Sequence, residues 1–207
     1  MKLIDTLHER HVRPRRSGVL TRHLADALRP VVDEQATLLD VGCGDGRQGR
    51  AIADELGVRS VTGVEFLVRP VRTIPMAAFD GHRLPFADRS VTAAMACNVL
   101  HHANDPAVVL AEMCRVADRA VVLKDHLLNG PLAGATLKFM DDLGNKKHNV
   151  ALPYHYWPRD RWHAEIRRLG WRIDFWNERL CLYPFPANLL FDRHLHFVAR
   201  LTRDEAS

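Results

Sequence analysis

The feature that most constrains this chain is an apolar run ending in alternating glycines, Leu38-Leu39-Asp40-Val41-Gly42-Cys43-Gly44-Asp45-Gly46. A short run of this kind reads as a strand buried on both faces. The glycines let the backbone turn sharply and come closer to a ligand than a β-carbon would permit. Arg47 to Leu56 then reads as a helix, closed by Gly57. Further short strands are expected at Ser60–Val64, Ala77–Phe79 and Val91–Cys97. A helix from about Asp105 to Val116, capped by Asn104 or Asp105 with Pro106 in its first turn, leads to another strand at Ala120–Leu123.

Strand and helix alternating at this spacing predict an α/β fold with a doubly wound, mostly parallel sheet and helices on both faces. Such sheets take ligands beyond the carboxyl ends of their strands. Downstream, Leu132–Leu143 and Arg159–Leu169 read as helices, and Trp171–Trp176 and Leu195–Leu201 as a final pair of strands forming an antiparallel edge. The stretch up to Leu28 reads as helical, broken at Pro14 and Gly18. With 207 residues and no long linker, one domain is expected over 1–207: a helical lid (1–36), a cofactor-binding half (37–125) and a substrate-side half (126–207).

Composition narrows the classes. No apolar run approaches the ~20 residues that span a bilayer, and the acid-bearing start lacks the apolar core of a secretory signal, so a cytoplasmic protein is expected. Cys43, Cys97, Cys114 and Cys181 are scattered without a Cys-x-x-Cys pair, which predicts free thiols and no structural zinc. The net charge of +4 is modest; Arg10, His11, Arg13, Arg15 and Arg16 concentrate it near the start, as a solvated face or an anion-binding patch, without arguing for nucleic acid.

Two ligands compete for the glycine loop. Gly44-Asp45-Gly46-Arg47-Gln48-Gly49 matches G-x-G-x-x-G, and Glu65 lies about 20 residues on, as a nicotinamide dinucleotide would require. A dinucleotide, however, sets its pyrophosphate against the helix start, whereas S-adenosylmethionine brings a sulfonium and an ammonium, which suit a carboxylate at Asp40. Asp80-Gly81, placed where a third strand ends, offers an acceptor for an adenine amino group, with Leu84 and Phe86 as apolar neighbours.

These residues resemble the class I S-adenosylmethionine-dependent methyltransferases, in particular the small-molecule group that includes the ubiquinone and menaquinone biosynthesis enzymes. The resemblance runs over about 37–125. It is carried by Asp40 to Gly46, Glu65, Asp80 to Phe86, Asp88 to Ala94, Asn98-Val99-Leu100-His101-His102 and Glu112-Met113-Cys114-Arg115-Val116. It implies that Gly42, Cys43 and Gly44 approach the methionine part of the cofactor, that Glu65 holds the ribose hydroxyls, that Asp80 and Gly81 address adenine, and that Asn98 closes the site. The chain departs from the pattern after Glu65, where Pro70 and Pro75 point to a crossover without its usual helix.

Methyl transfer needs an aligned nucleophile, exclusion of water and often a base. His101 and His102 follow the fourth strand at the ligand edge, and Lys124-Asp125-His126 ends the fifth. His126 is the first candidate base, with Asp125 as its orienter and His102 as a further catalytic candidate. Residues adjacent on a strand, though, usually face opposite ways. His101, Asp142, Asn145, Tyr154 and Tyr156 are the candidate substrate contacts, with Trp157 beside them as wall or core. No tight ligand spacing among Asp125, Asp141, Asp142 and Asn145 calls for a metal. Asn98 lacks the following prolines and aromatic that amino methylation of nucleic acid uses, so a small-molecule acceptor is expected. A nicotinamide-dependent oxidoreductase and a non-catalytic module binding through Arg10 to Arg16 are the alternatives.

Overall fold

The computed structural model describes residues 13–67, 70–145 and 152–203. Arg10, His11 and Lys146 to His148 lie outside the described residues, as do the side chains of Arg13 and Asn145.

Seven strands form one sheet: β1 (Thr37–Val41), β2 (Ser60–Glu65), β3 (Met76–Ala78), β4 (Val91–Cys97), β5 (Ala117–His126), β6 (Trp171–Asn177) and β7 (His196–Arg203). Their order is β3-β2-β1-β4-β5-β7-β6. The first five run parallel, and β7 enters antiparallel between β5 and β6. The chain reverses direction across the sheet at β1, between β2 and β4. This switch point is where an open α/β sheet leaves a crevice for a ligand.

The helices are α1 (Arg13–Leu28), α2 (Arg47–Leu56), α3 (Pro106–Val116), α4 (Ala133–Asn145), α5 (Arg159–Arg168) and the short α6 (Asn188–Phe191). Two cores separate across the sheet because its central strands are apolar on both faces. On one face α1 and α2 bury Leu24, Leu28 and Ile52 against Leu38, Met95, Val122 and Val198. On the other, Leu110 and Met113 of α3 and Trp162 and Ile166 of α5 cover Leu39, Ala94, Val121 and Phe197. Each large apolar side chain so buried contributes roughly 1.5–3 kcal/mol. The alanines of β4, Ala93, Ala94 and Ala96, keep that strand thin enough for helices on both sides.

The local signals act as their chemistry dictates. Asp105 caps α3 by accepting from the Ala107 amide at 2.9 Å, and Gly57 ends α2 in a left-handed conformation while its amide bonds the carbonyls of Ala53 and Asp54. One expectation is corrected: α1 runs unbroken through Gly18. Pro14 falls in its first turn, where a missing N–H costs nothing, and the burial of Leu20, Leu24 and Leu28 outweighs the glycine. The described residues between β2 and β3 form no helix.

Candidate functional site

At the carboxyl end of β1 the loop carries three glycines with positive φ: Gly42 (70°), Gly44 (60°) and Gly46 (79°). Their reasons differ. A β-carbon on Gly42 would stand 2.6 Å from Val99, and one on Gly46 2.6 Å from Ile74, so the protein itself needs those two bare. A β-carbon on Gly44 would meet nothing within 4 Å. The Gly44 amide donates to Glu65 Oε2 at 2.7 Å, which ties the loop to the end of β2, and Glu65 Oε1 accepts from the Phe66 amide.

Beneath the loop Asp40 is buried, and its Oδ2 makes no hydrogen bond. The bare Cα of Gly49 makes room for it, since a β-carbon there would lie 2.6 Å from Oδ2. Burial, reinforced by the charge of Glu65, lifts the Asp40 carboxyl from 3.8 to about 7, and the Gly49 amide offsets this only in part. Cys43 turns its side chain into the core against Gly63, leaving only its backbone to face the crevice. Asp80 is exposed and spends Oδ1 on the amides of His82 and Arg83. Gly81 completes that turn at φ 84°. Glu112 accepts from the Leu84 amide and clamps Arg115, which reaches the carbonyls of Leu84 and Phe86. This pair therefore braces the segment that follows Asp80.

At the ends of β4 and β5 the fold assembles a buried polar cluster. A turn at Leu100–His102 follows β4, and Asp125 binds both the Leu100 amide (3.0 Å) and His101 Nδ1 (2.5 Å). Asp125 therefore orients His101 and not His126, because its side chain leaves β5 on the face opposite that of His126. The far nitrogen of His101 lies 3.4 Å from Asp141 Oδ2, and His126 Nε2 lies 3.4 Å from Asp141 Oδ1. Tyr156 donates to Asp141 at 2.5 Å and Tyr154 to Asp142 at 2.6 Å. The strap carrying these tyrosines is pinned to the turn through His155, whose amide bonds the His101 carbonyl.

Charge is partitioned sharply here. Against the cost of burial, Asp125 and Asp141 carry the His101 imidazole up to about 9. Asp125 and Asp141 are held well below the usual carboxylate range by the histidines despite their burial. Burial and the charges on His101 and Lys124 push His126 down to about 3. Burial and Arg16 lower Lys124 to about 8; its Nζ reaches Asn98 Oδ1 and His196 Nδ1. Asn98 is held at φ 59° as β4 ends.

The structure thus gathers His101, His102, Asp125, His126 and Tyr156 into one cluster, sets Tyr154 and Asp142 beside it, and keeps Asp40, Gly42, Gly44 and Glu65 together at the loop. Trp157 belongs to the core, packed on Trp162. Sequence reading missed His196, which lies directly opposite His126 in the antiparallel pairing and approaches its Nδ1 to 3.1 Å. The one available signal was a histidine opening a predicted strand. The four cysteines are free thiols, and no helix among the described residues is long and apolar enough to cross a membrane.

Residues 39–122 match the family model described as a methyltransferase domain. An uncharacterized methyltransferase of Mycobacterium avium (strain 104) is 35% identical over 120 residues, 54% of this chain and 47% of the relative. The chain thus spans about half the length of the curated relatives it matches. Among solved structures, an S-adenosylmethionine-dependent methyltransferase from Mesorhizobium loti aligns with a TM-score of 0.62 at 18% identity, covering 88% of this chain and 100% of that one. The 1,6-didemethyltoxoflavin-N1-methyltransferase of Burkholderia thailandensis, solved with its namesake compound and S-adenosylhomocysteine, aligns at 0.63 and 18%, covering 89% and 78%. At such identities these two establish the shared fold.

Proposed function

Residues 39–122 match the family model of a methyltransferase domain, and from that likeness we propose that the protein transfers a methyl group from S-adenosylmethionine to a small-molecule acceptor. The observation that carries this reading is the open space over Gly44 above a buried, hydrogen-bond-poor carboxylate, Asp40. A pyrophosphate would need the start of α2 for itself. A carboxylate buried under that start repels phosphates and suits a cationic ligand.

In this reading the Gly44 amide and Asp40 take the methionine end of the cofactor, the backbone of Gly42 and Cys43 shapes the passage, and Glu65 takes the ribose hydroxyls. The edge at Asp80 and Gly81 takes adenine, and Asn98, steadied by Lys124, closes the seat. When bound, the cofactor supplies a methyl group on a sulfonium sulfur, open to in-line attack. The chain's own residues then position the nucleophile and exclude water. The acceptor lies against Tyr154, Tyr156 and Asp142, with the first turns of α1 as cover, and its proton leaves on the His102 side of the cluster. His126, buried and neutral, is too weak a base for that task and acts by holding Asp141. Asp125 holds His101 in the same way. Residues 1–36, 37–125 and 126–207 are then the cover, the cofactor half and the substrate half of one domain. A small acceptor is further supported by the likeness to the Burkholderia thailandensis enzyme, which was solved with such a compound bound.

Calorimetry with S-adenosylhomocysteine and with NAD tests the cofactor. Micromolar or tighter binding of the first with no response to the second is expected; tight NAD binding alone would make the protein a dehydrogenase. Screening small metabolites for S-adenosylhomocysteine release then identifies the acceptor.

A further inference from the structure

Asp141 is set between two imidazoles, His101 at Oδ2 and His126 at Oδ1. His101 Nδ1 faces the Asp125 carboxylate at 2.5 Å, so that nitrogen carries the hydrogen. Its Nε2, buried and without a hydrogen bond, is aimed at Asp141 Oδ2. On the other side, His196 Nε2 lies 3.0 Å from the Phe191 carbonyl and must donate to it. His196 Nδ1 is then an acceptor, facing Lys124 Nζ and His126 Nδ1. His126 Nδ1 lies 3.1 Å from the same nitrogen, and His126 Nε2 lies 3.4 Å from Asp141 Oδ1. Two imidazoles thus converge on one carboxylate.

We propose that His101, His102 and Asp141 form a binding site for a divalent transition-metal ion at the carboxyl ends of β4 and β5. One ligand atom from each of the three lies within 4.8 Å of the others. The 3.4 Å between His101 Nε2 and Asp141 Oδ2 matches the separation of roughly 3.0–3.4 Å between neighbouring ligands of an ion bound at about 2.0–2.1 Å. Closing the shell asks for side-chain adjustment of His102, whose ring centroid lies 3.9 Å from that of His101. The surroundings are those of a metal centre: the Asp125 carboxylate fixes the ring and tautomer of His101, and Tyr156 donates to the ligating carboxylate. His126 stands at the other oxygen of Asp141. Two imidazoles and one carboxylate select zinc, cobalt, iron or manganese over magnesium or calcium. Three protein ligands leave a position open for an oxygen ligand. The site does not depend on the methyl-transfer reading, since no cofactor residue contributes to it.

The test uses the full chain without an affinity tag, dialysed against Zn²⁺ and, separately, Co²⁺. About one equivalent of Zn²⁺ is expected to survive gel filtration, and Co²⁺ should give visible d–d absorption of a nitrogen–oxygen site. Asp141→Asn, close in shape, and His102→Gln, at a half-buried position, should each weaken metal binding at least ~10-fold, with circular dichroism confirming the fold. Tyr156→Phe covers the case in which Asp141→Asn does not fold, and it should weaken binding and shift the Co²⁺ spectrum. Retention of less than a tenth of an equivalent overturns the proposal and makes the cluster an imidazolium–carboxylate clamp. Undiminished uptake in folded Asp141→Asn or His102→Gln protein overturns it as well, because the metal would then sit on other histidines. S-adenosylhomocysteine binding, measured in parallel, reports on the methyl-transfer reading alone.

Discussion

Replacing Asp40 by Asn keeps the shape of the side chain and removes its charge, at a place where the fold makes charge expensive. The folded carboxyl titrates near 7 instead of 3.8, first because it is buried and second because Glu65 is close. The folded state therefore binds a proton that the unfolded chain has already lost between pH 4 and 7, and stability falls as pH rises through that window. Below pH 4 both states are protonated and there is no penalty; above pH 7 it is complete. Three units at about 1.4 kcal/mol each set a ceiling of about 4 kcal/mol. For a chain of this length each kcal/mol moves Tm by roughly 2–4 °C, so even a quarter of the ceiling is measurable. Differential scanning calorimetry of the ligand-free protein should find Asp40→Asn near wild type at pH 4.5 and more stable at pH 8. The same variant should bind S-adenosylhomocysteine at least ~10-fold more weakly at pH 8, because the charge that burdens the empty fold is the one that would meet the ligand's ammonium. A stability difference that does not change with pH would refute the reasoning and mean that the carboxylate is compensated where it lies.

Gly44→Val should leave the sheet folded at a backbone cost of about 1–2 kcal/mol from its φ of 60°, since a β-carbon there meets no protein atom. It should nevertheless weaken S-adenosylhomocysteine binding by at least ~2 kcal/mol in a titration, the scale of a clash in a packed site. Gly42→Ala should do the opposite: its β-carbon would strike Val99, so thermal melts should show a loss of roughly 1–3 kcal/mol. Once an acceptor is found, His126→Ala, which removes a neighbour of Asp141, should lower kcat with cofactor affinity unchanged. Tyr156→Ala should raise the acceptor's KM in steady-state assays, again without touching cofactor binding.

What the sequence made legible was whatever is local. A buried run followed by Gly42, Gly44 and Gly46 is a strand and a turn whatever surrounds it, and Asp105 before Pro106 caps a helix by contacts within two residues. The glycine loop and the strand ends around it lie in such signals, in order, along one stretch of chain. The cluster at the ends of β4 and β5 does not. Asp125 was assigned to its neighbour His126, yet pleating sends the two to opposite faces, and the partner of Asp125 comes from the turn after β4, 24 residues earlier. Asp141 meets His101 only because α4 is laid back over the strand ends. His196 meets His126 only because β7 enters antiparallel between β5 and β6 with one register. Shifted by a single residue, β7 would turn His196 to the other face. His126 would then lose its neighbour across the strands, and Lys124 Nζ its contact with His196 Nδ1. Register, a property of the assembled sheet, thus decides which imidazoles gather at these strand ends.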